Sequence, residues 1–268
     1  MKKQIIDWLH LKTGKNHSDI KRVLSLAKNS ITPNTKKVVV IEEEANIEMS
    51  VTRNGFGPIN TPYGKFYLYN FIVDDEWVNY YCIINCQKTD INGNPIFTND
   101  ELLIRIDSGC ETGQRFHDKS CDCKGQLEKT IEELGNSEGI IISIPKQDGR
   151  GKGLAWKLTT LEIQDSLELD TVRAAEITSM LSSNGIEQEI DTRTYEGVIA
   201  ILKYFDISID TTIYLATNNP EKIKVFKNNQ YQIINNTLII PSTKDTKNHL
   251  LAKQYFLGHK LDLTDENI

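Results

Sequence analysis

No apolar run in the 268-residue sequence approaches the roughly 18 residues that a membrane-spanning helix needs. The opening residues, MKKQIIDWLHLKTGKN, carry lysines but lack the apolar stretch of a signal peptide. Basic excess is missing too: 31 Lys and Arg stand against 37 Asp and Glu, for a formal net charge of −6. That balance argues against broad binding to nucleic acid or to an anionic membrane, because both need a basic surface. It leaves room for an anionic small ligand in a local basic pocket. The five cysteines cannot all pair. No disulfide framework is expected, and the chain reads as cytoplasmic with reduced thiols. Neither an internal repeat nor a low-complexity segment occurs.

What remains is an ordinary globular composition, 39% hydrophobic and 25% charged, long enough to bury a substantial core in one large domain or two small ones. Residues 1–55 read as an added segment. Ser18 is placed to cap a helix bearing Ile20, Val23, Leu24 and Ala27; Val38–Ile41 form a strand, and Gly55, Gly57 and Pro58 mark a break. FYLYNFIV, WVNYYCII and ELLIRI then predict strands, with INGNP a turn between the second and third. Cys82 and Cys86 fall on one face of the middle strand as packing residues.

Further on, Leu127, Ile131 and Leu134 make a helical stripe ended by Gly135, and GIIISIP is a short buried strand. The loop QDGRGKG leads into a helix striped by Leu154, Leu158 and Leu161. Helices near 171–182, 194–204 and 220–228 and a strand at TTIYLA complete the pattern, and the last 25 or so residues read as a polar, partly mobile tail.

The stretch CETGQRFHDKSCDC holds three cysteines at spacing C-x₁₀-C-x-C. Three thiolates supply three corners of a tetrahedron and leave the fourth to water, the open arrangement of catalytic zinc. His117, inside the loop, could instead close the site and make it structural. The single-residue C-x-C gap disfavours a redox pair. The glycine-rich loop fits neither the G-x-x-x-x-G-K-[ST] order nor the dinucleotide fingerprint, whose third glycine is Trp156 here. As bare pattern it serves equally as a plain connection or as a phosphate cradle, with Arg150 and Lys152 adding charge. TNNPEK reads as a turn and helix cap.

In this order the motifs R-I-D-S-G-C-E-T-G, S-C-D-C-K-G-Q-L, Q-D-G-R-G-K-G-L, D-T-R-T-Y and T-N-N-P-x-K resemble the GTP cyclohydrolase II family, from TPYGKF to TNNPEK. The resemblance implies a mixed α/β (α+β) fold, β-rich in front with helix–strand alternation behind. Residues 56–268 would form the catalytic domain, and 1–55 an extension of unknown role. It implies that Cys110, Cys121 and Cys123 hold a catalytic zinc ion. GTP contacts fall on Arg105, Ile106, Asp107, Ser108, Gly109, Gln126, Asp148, Gly149, Arg150, Thr171, Thr217 and Lys222, with Asp148 a candidate for the guanine edge. Asp191 and Arg193 take the catalytic acid–base and nucleophile positions, Mg²⁺ accompanies the triphosphate, and the assembly is a homodimer.

Several positions depart from the family pattern. Leu161 replaces a usual tyrosine, Asp107 a histidine, Gln114 an aspartate, Asp148 a glutamate and Lys124 a glycine. Arg-Ala-Ala stands at 173–175 in place of Glu-Ala-Asn, and about eight extra residues precede Asp191. The leading expectation is a zinc-dependent hydrolase that opens the imidazole ring of GTP, or of a close purine nucleotide, at C8 with loss of pyrophosphate. Because leucine cannot donate a proton, the formyl group would be retained. The alternatives are the full reaction of riboflavin synthesis, which releases formate, and a non-catalytic GTP sensor with structural zinc.

Overall fold

The computed structural model describes residues 2–74, 79–182, 189–237, 240–241, 243 and 246–258. Two helices come first, α1 (Lys2–Thr13) and α2 (His17–Ser30). Asn16, not Ser18, caps α2, because its side-chain oxygen accepts from Asp19 N at 2.8 Å. An antiparallel run follows: β1 (Asn34–Glu42), β2 (Ala45–Thr61), β3 (Gly64–Val73) and β4 (Tyr80–Asn85). The expected break at Gly55–Pro58 does not interrupt the chain. These residues lie within β2 and pair with β3, and the irregularity shrinks to a register shift between Arg53 and Gly55.

The INGNP turn closes a two-stranded hairpin, β5 (Lys88–Thr89) with β6 (Pro95–Ile96). Cys82 is fully buried in β4, whereas Cys86 lies just past its end, half-buried, with its thiol on Lys88 O. The two therefore do not share a strand face.

Next come β7 (Glu101–Asp107), α3 (Cys123–Gly135), β8 (Gly139–Ser143), α4 (Gly153–Ser166), α5 (Thr171–Ser182), α6 (Glu196–Tyr204), β9 (Thr212–Ala216), α7 (Pro220–Asn228), β10 (Gln232–Asn236) and α8 (Lys247–Leu257). Residues 259–268 of the polar tail, and 183–188 of the extra segment before Asp191, lie outside the described residues. One eight-stranded sheet runs β1-β2-β3-β4-β8-β7-β9-β10. It is antiparallel as far as the β4–β8 pair and parallel from β8 onward.

This change of sense explains the sequence pattern. The parallel strands β7 and β8 are covered on both faces, so they read as unbroken apolar runs (ELLIRI, GIII) without alternation. On one face the core packs α6, buried from Gly197 to Leu202, against Tyr69, Phe71, Ile104 and Ile142. On the other, Leu134 of α3 meets Phe66, Leu103 and Ile141. Among the described residues no helix is long and apolar enough to cross a membrane.

Candidate active site

The carboxyl ends of β7, β8 and β9 open into one pocket, the place where parallel sheets gather ligands. Past β7, Cys110 accepts from Gly113 N at 3.4 Å and starts a single π-helical turn, Glu111–Arg115. That turn brings Cys110 to Cys121 and Cys123, the latter at the start of α3. The three sulfurs lie within 4.8 Å of one another, Cys110 and Cys121 at 3.7 Å. Glycine is required at 113: a Cβ there would stand 2.6 Å from Cys121 Sγ and 3.1 Å from Cys110 Sγ. The backbone thus makes room for a cluster of three soft donors, a set suited to a thiophilic cation such as zinc.

His117 does not close the cluster. It is exposed, with a left-handed backbone (φ 59°), and no fourth Cys, His, Asp or Glu joins the three among the described residues. Hydrogen bonds from Cys121 and Cys123, and then the Lys157 ammonium, hold the Cys110 thiol well below its usual range despite burial. Cys121, which shares the hydrogen bond with Cys110, is pushed up to about 11.

The opposite wall is cationic. Arg105 donates to Gln126 Oε1 at 2.9 Å and to Ala216 O at 3.4 Å, yet its buried Nε has no partner among the described residues. Arg150 reaches Thr171 O at 3.3 Å through Nη2, leaving Nη1 buried without a partner. Arg150 also sits in left-handed backbone (φ 58°, ψ 38°), a strain that local function often accounts for. Lys222, in the first turn of α7 after the Asn219 cap, donates to Ile106 O at 2.9 Å and Ser108 Oγ at 3.2 Å. Burial, then the nearby charges of Arg105 and Arg193, press its pKa well below the ordinary lysine value. Crowded buried cations with spare donors have the chemistry to receive a polyanion.

Asp191 and Arg193 form a two-point pair. Nε donates to Oδ1 at 2.8 Å, Nη2 donates to Oδ2, and the Arg193 amide adds 3.2 Å to Oδ1. Burial pushes the Asp191 carboxyl up, but its bonds to Arg193 outweigh that and hold it below the usual carboxylate range. The segment is docked on the glycine loop through Thr192 N to Arg150 O, 3.0 Å, and Gln147 Nε2 to Thr194 O, 2.6 Å.

Of the positions singled out in the sequence, Arg105, Asp107, Ser108, Gln126, Asp148, Gly149, Arg150, Thr171, Arg193, Thr217, Lys222 and the three cysteines line this pocket. Ile106, Gly109 and Asp191 do not. Ile106 is fully buried and offers only its carbonyl, Gly109 N donates to Asp107 Oδ2 at 3.1 Å, and Asp191 is bonded to Arg193. The leucine stripe of α4 is not a packing face: Leu154 and Leu158 are exposed and Leu161 turns to the pocket.

Two departures from the family pattern touch each other. Gln114 Nε2 donates to Asp107 Oδ1 at 2.8 Å, while Ser143 Oγ donates to Oδ2 at 2.8 Å. Asp148 is more engaged than a free base-reader. Oδ1 accepts from Gly149 N (2.8 Å) and Lys157 (3.0 Å), and Oδ2 from Glu111 N (3.0 Å), leaving one of about four lone-pair sites for a ligand. Sequence reasoning missed Lys157, Gln147 and Trp156. The last two bring a buried, unpartnered Oε1 and Nε1 to the pocket wall. Lys157 gave no signal in the sequence, since a lone lysine on a helix reads as solvated.

The sequence model of GTP cyclohydrolase II matches residues 55–237. Riboflavin biosynthesis protein RibBA of Staphylococcus epidermidis is 32% identical over 216 residues, covering 80% of this chain and 49% of that protein. GTP cyclohydrolase-2 of Picrophilus torridus is 32% identical over 200 residues, 74% of this chain and 92% of its own length. GTP cyclohydrolase-2 of Helicobacter hepaticus is 37% identical over 160 residues, 59% and 76% of the two chains. The chain spans about half the length of the RibBA relatives. With the match extending over most of the sequence and ending in the same strand layer that builds the pocket, the chain belongs to the GTP cyclohydrolase II family.

Proposed function

We propose that this chain hydrolyses GTP, opening the imidazole ring at C8–N9 and releasing pyrophosphate while the formyl group stays on the product. One observation carries the reading: unpartnered buried donors of Arg105 and Arg150 share a pocket with three clustered thiols. A polyphosphate answers the first, and a heterocycle beside an electrophilic centre answers the second.

Two waters balance the chemistry. One adds across C8–N9 to leave a formamide and an amine; the other cleaves the α–β phosphoanhydride. A zinc ion held by Cys110, Cys121 and Cys123 would supply Lewis-acid activation near C8. Arg105, Arg150 and Lys222 bind the triphosphate, which Mg²⁺ accompanies, and offset the charge that builds on the departing pyrophosphate. Asp191 holds the Arg193 guanidinium in one plane so that it meets the phosphate without reorienting. Leu161, at the pocket wall, can neither donate nor hold a proton. Hydrolysis of the formamide, which would need a third water, lacks that help.

The test is product identity from GTP and Mg²⁺ by mass spectrometry. A formylated pyrimidinone nucleotide with one equivalent of pyrophosphate and no formate is expected, and Cys121→Ser should abolish metal uptake and ring opening together. Tight GTP binding without turnover would instead favour a nucleotide sensor.

The complete reaction is the second reading, favoured by the similarity to riboflavin biosynthesis proteins RibBA. One equivalent of formate per pyrophosphate establishes it. Under the first reading Leu161→Tyr raises formate yield at least severalfold; an unchanged yield counts against retention.

A further inference from the structure

Lys157 has no place in the mechanism above, yet it is the pocket cation that bonds directly to the thiol cluster. It stands one turn into α4, so its side chain reaches back over the glycine loop. Its Nζ donates to Cys110 Sγ at 2.8 Å and to Asp148 Oδ1 at 3.0 Å. Asp148 in turn accepts from the amide of Glu111, the residue next to Cys110, at 3.0 Å. A closed circuit results, running Cys110, Lys157, Asp148, Glu111 and back to Cys110 along the chain. Asp148 is 5% exposed and the Lys157 side chain 17%, so the circuit is largely shielded from water.

We infer that Lys157 and Asp148 are positioning residues for the thiol cluster: the ammonium orients the Cys110 sulfur and balances its charge, and the carboxylate ties both to the metal loop. The inference rests on metal binding by the three cysteines. The charge count supports it. Three thiolates around a divalent cation leave one negative charge, and Lys157 is the ammonium that contacts one of those sulfurs. A sulfur that accepts an N–H bond also keeps a fixed lone pair for the ion, which is how outer partners tune a metal site. Phosphate binding is a poorer use of this lysine, since two of its three protons are already committed.

Metal affinity and ligand field test this apart from turnover. Zinc affinity is measured by competition with a chromophoric chelator, and the thiolate-to-cobalt charge-transfer band is recorded for the Co²⁺ form. Lys157→Met should weaken zinc by about 10- to 100-fold and shift the cobalt band. Lys157→Arg should retain most of the affinity. Asp148→Asn should weaken zinc less than Lys157→Met, and the double variant should bind no worse than Lys157→Met alone, since both act through one circuit. Should Lys157→Met fail to fold, Asp148→Asn decides by the same two readouts. Unchanged affinity and spectrum in a folded variant overturn the inference and leave the proposed reaction standing. A wild-type protein that takes up no zinc overturns both.

Discussion

Two ends of one sheet treat buried polarity in opposite ways. Over β3 and α6 the rings of Tyr69, Phe71, Tyr204 and Phe205 meet edge-on at 5.1 to 5.5 Å. The polar tips there are satisfied by the protein itself: Tyr69 Oη donates to Gly93 O and Tyr204 Oη to Asn34 Oδ1, both at 2.7 Å. At the carboxyl ends of β7 to β9, Arg105, Arg150, Arg193 and Lys222 crowd together, and two of them keep donors that nothing among the described residues takes up. Arg53 also leaves its Nε unpartnered at the aromatic end. It is a single charge, however, stacked over Phe56 at 4.8 Å and bonded to Asn94 Oδ1 at 3.3 Å. What distinguishes the ends is therefore who supplies the partner. The aromatic end leaves one such donor, on a lone Arg53, whereas the pocket end gathers two among four crowded cations, unfavourable free energy that an anionic ligand would relieve.

The largest expected effect breaks this contrast from the aromatic side. Phe71→Ala removes a fully buried ring and should cost about 3–5 kcal/mol of stability, read as a lowered urea midpoint. The activity of the fraction still folded should be unchanged. Loss of activity per folded molecule would mean that the ends are coupled.

Lys222→Met sharpens the contrast from the pocket side. It should weaken GTP by about 10- to 100-fold, the value of one or two bonds to a charged group, while the ligand-free protein stays as stable or gains slightly. A pH signature accompanies it. Burial and then Arg105 and Arg193 depress Lys222 below 10.5, so the unfolded chain binds this proton more tightly than the fold does. The penalty is complete below the depressed folded pKa, and stability recovers as pH rises from there toward 10.5. Denaturation of ligand-free protein across that window should show the rise in wild type and not in Lys222→Met.

The same contrast explains what was legible in the sequence. Strands β3, β7 and β8 and helices α5 to α7 announce themselves because burial writes periodic or unbroken apolar runs. The three cysteines were legible because their chemistry is carried by residue type and spacing, whereas Arg105 and Arg193 were reached only through the family motifs, since a D-T-R segment alone reads as a salt-bridged surface turn. The leucines of α4 show the limit of periodicity: helical spacing says that they share a face, but not that the face is the pocket rim and solvent. Gly55–Pro58 misled, since paired neighbours carry a strand through residues that would break it alone. Lys157 was missed because a lone lysine on a helix reads as solvated until Cys110 and Asp148 are seen 2.8 and 3.0 Å away.

The smallest effect concerns two positions that read as separate departures, Asp107 and Gln114. The Asp107 carboxylate is 2% exposed and takes bonds from Gln114, Gly109 N and Ser143, with Arg105 Nη2 at 3.7 Å. The glutamine amide and Arg105 therefore compete for Oδ1. In Gln114→Ala the carboxylate loses one charge-assisted bond, a cost of about 1.5 kcal/mol. The freed oxygen then draws Arg105 inward, away from the phosphate position. A modest loss of stability should thus arrive with a severalfold rise in KM for GTP and little change in kcat. Stability loss without the KM change would show that Gln114 only fills a bond, and that Arg105 is held by Gln126 and Ala216 O alone.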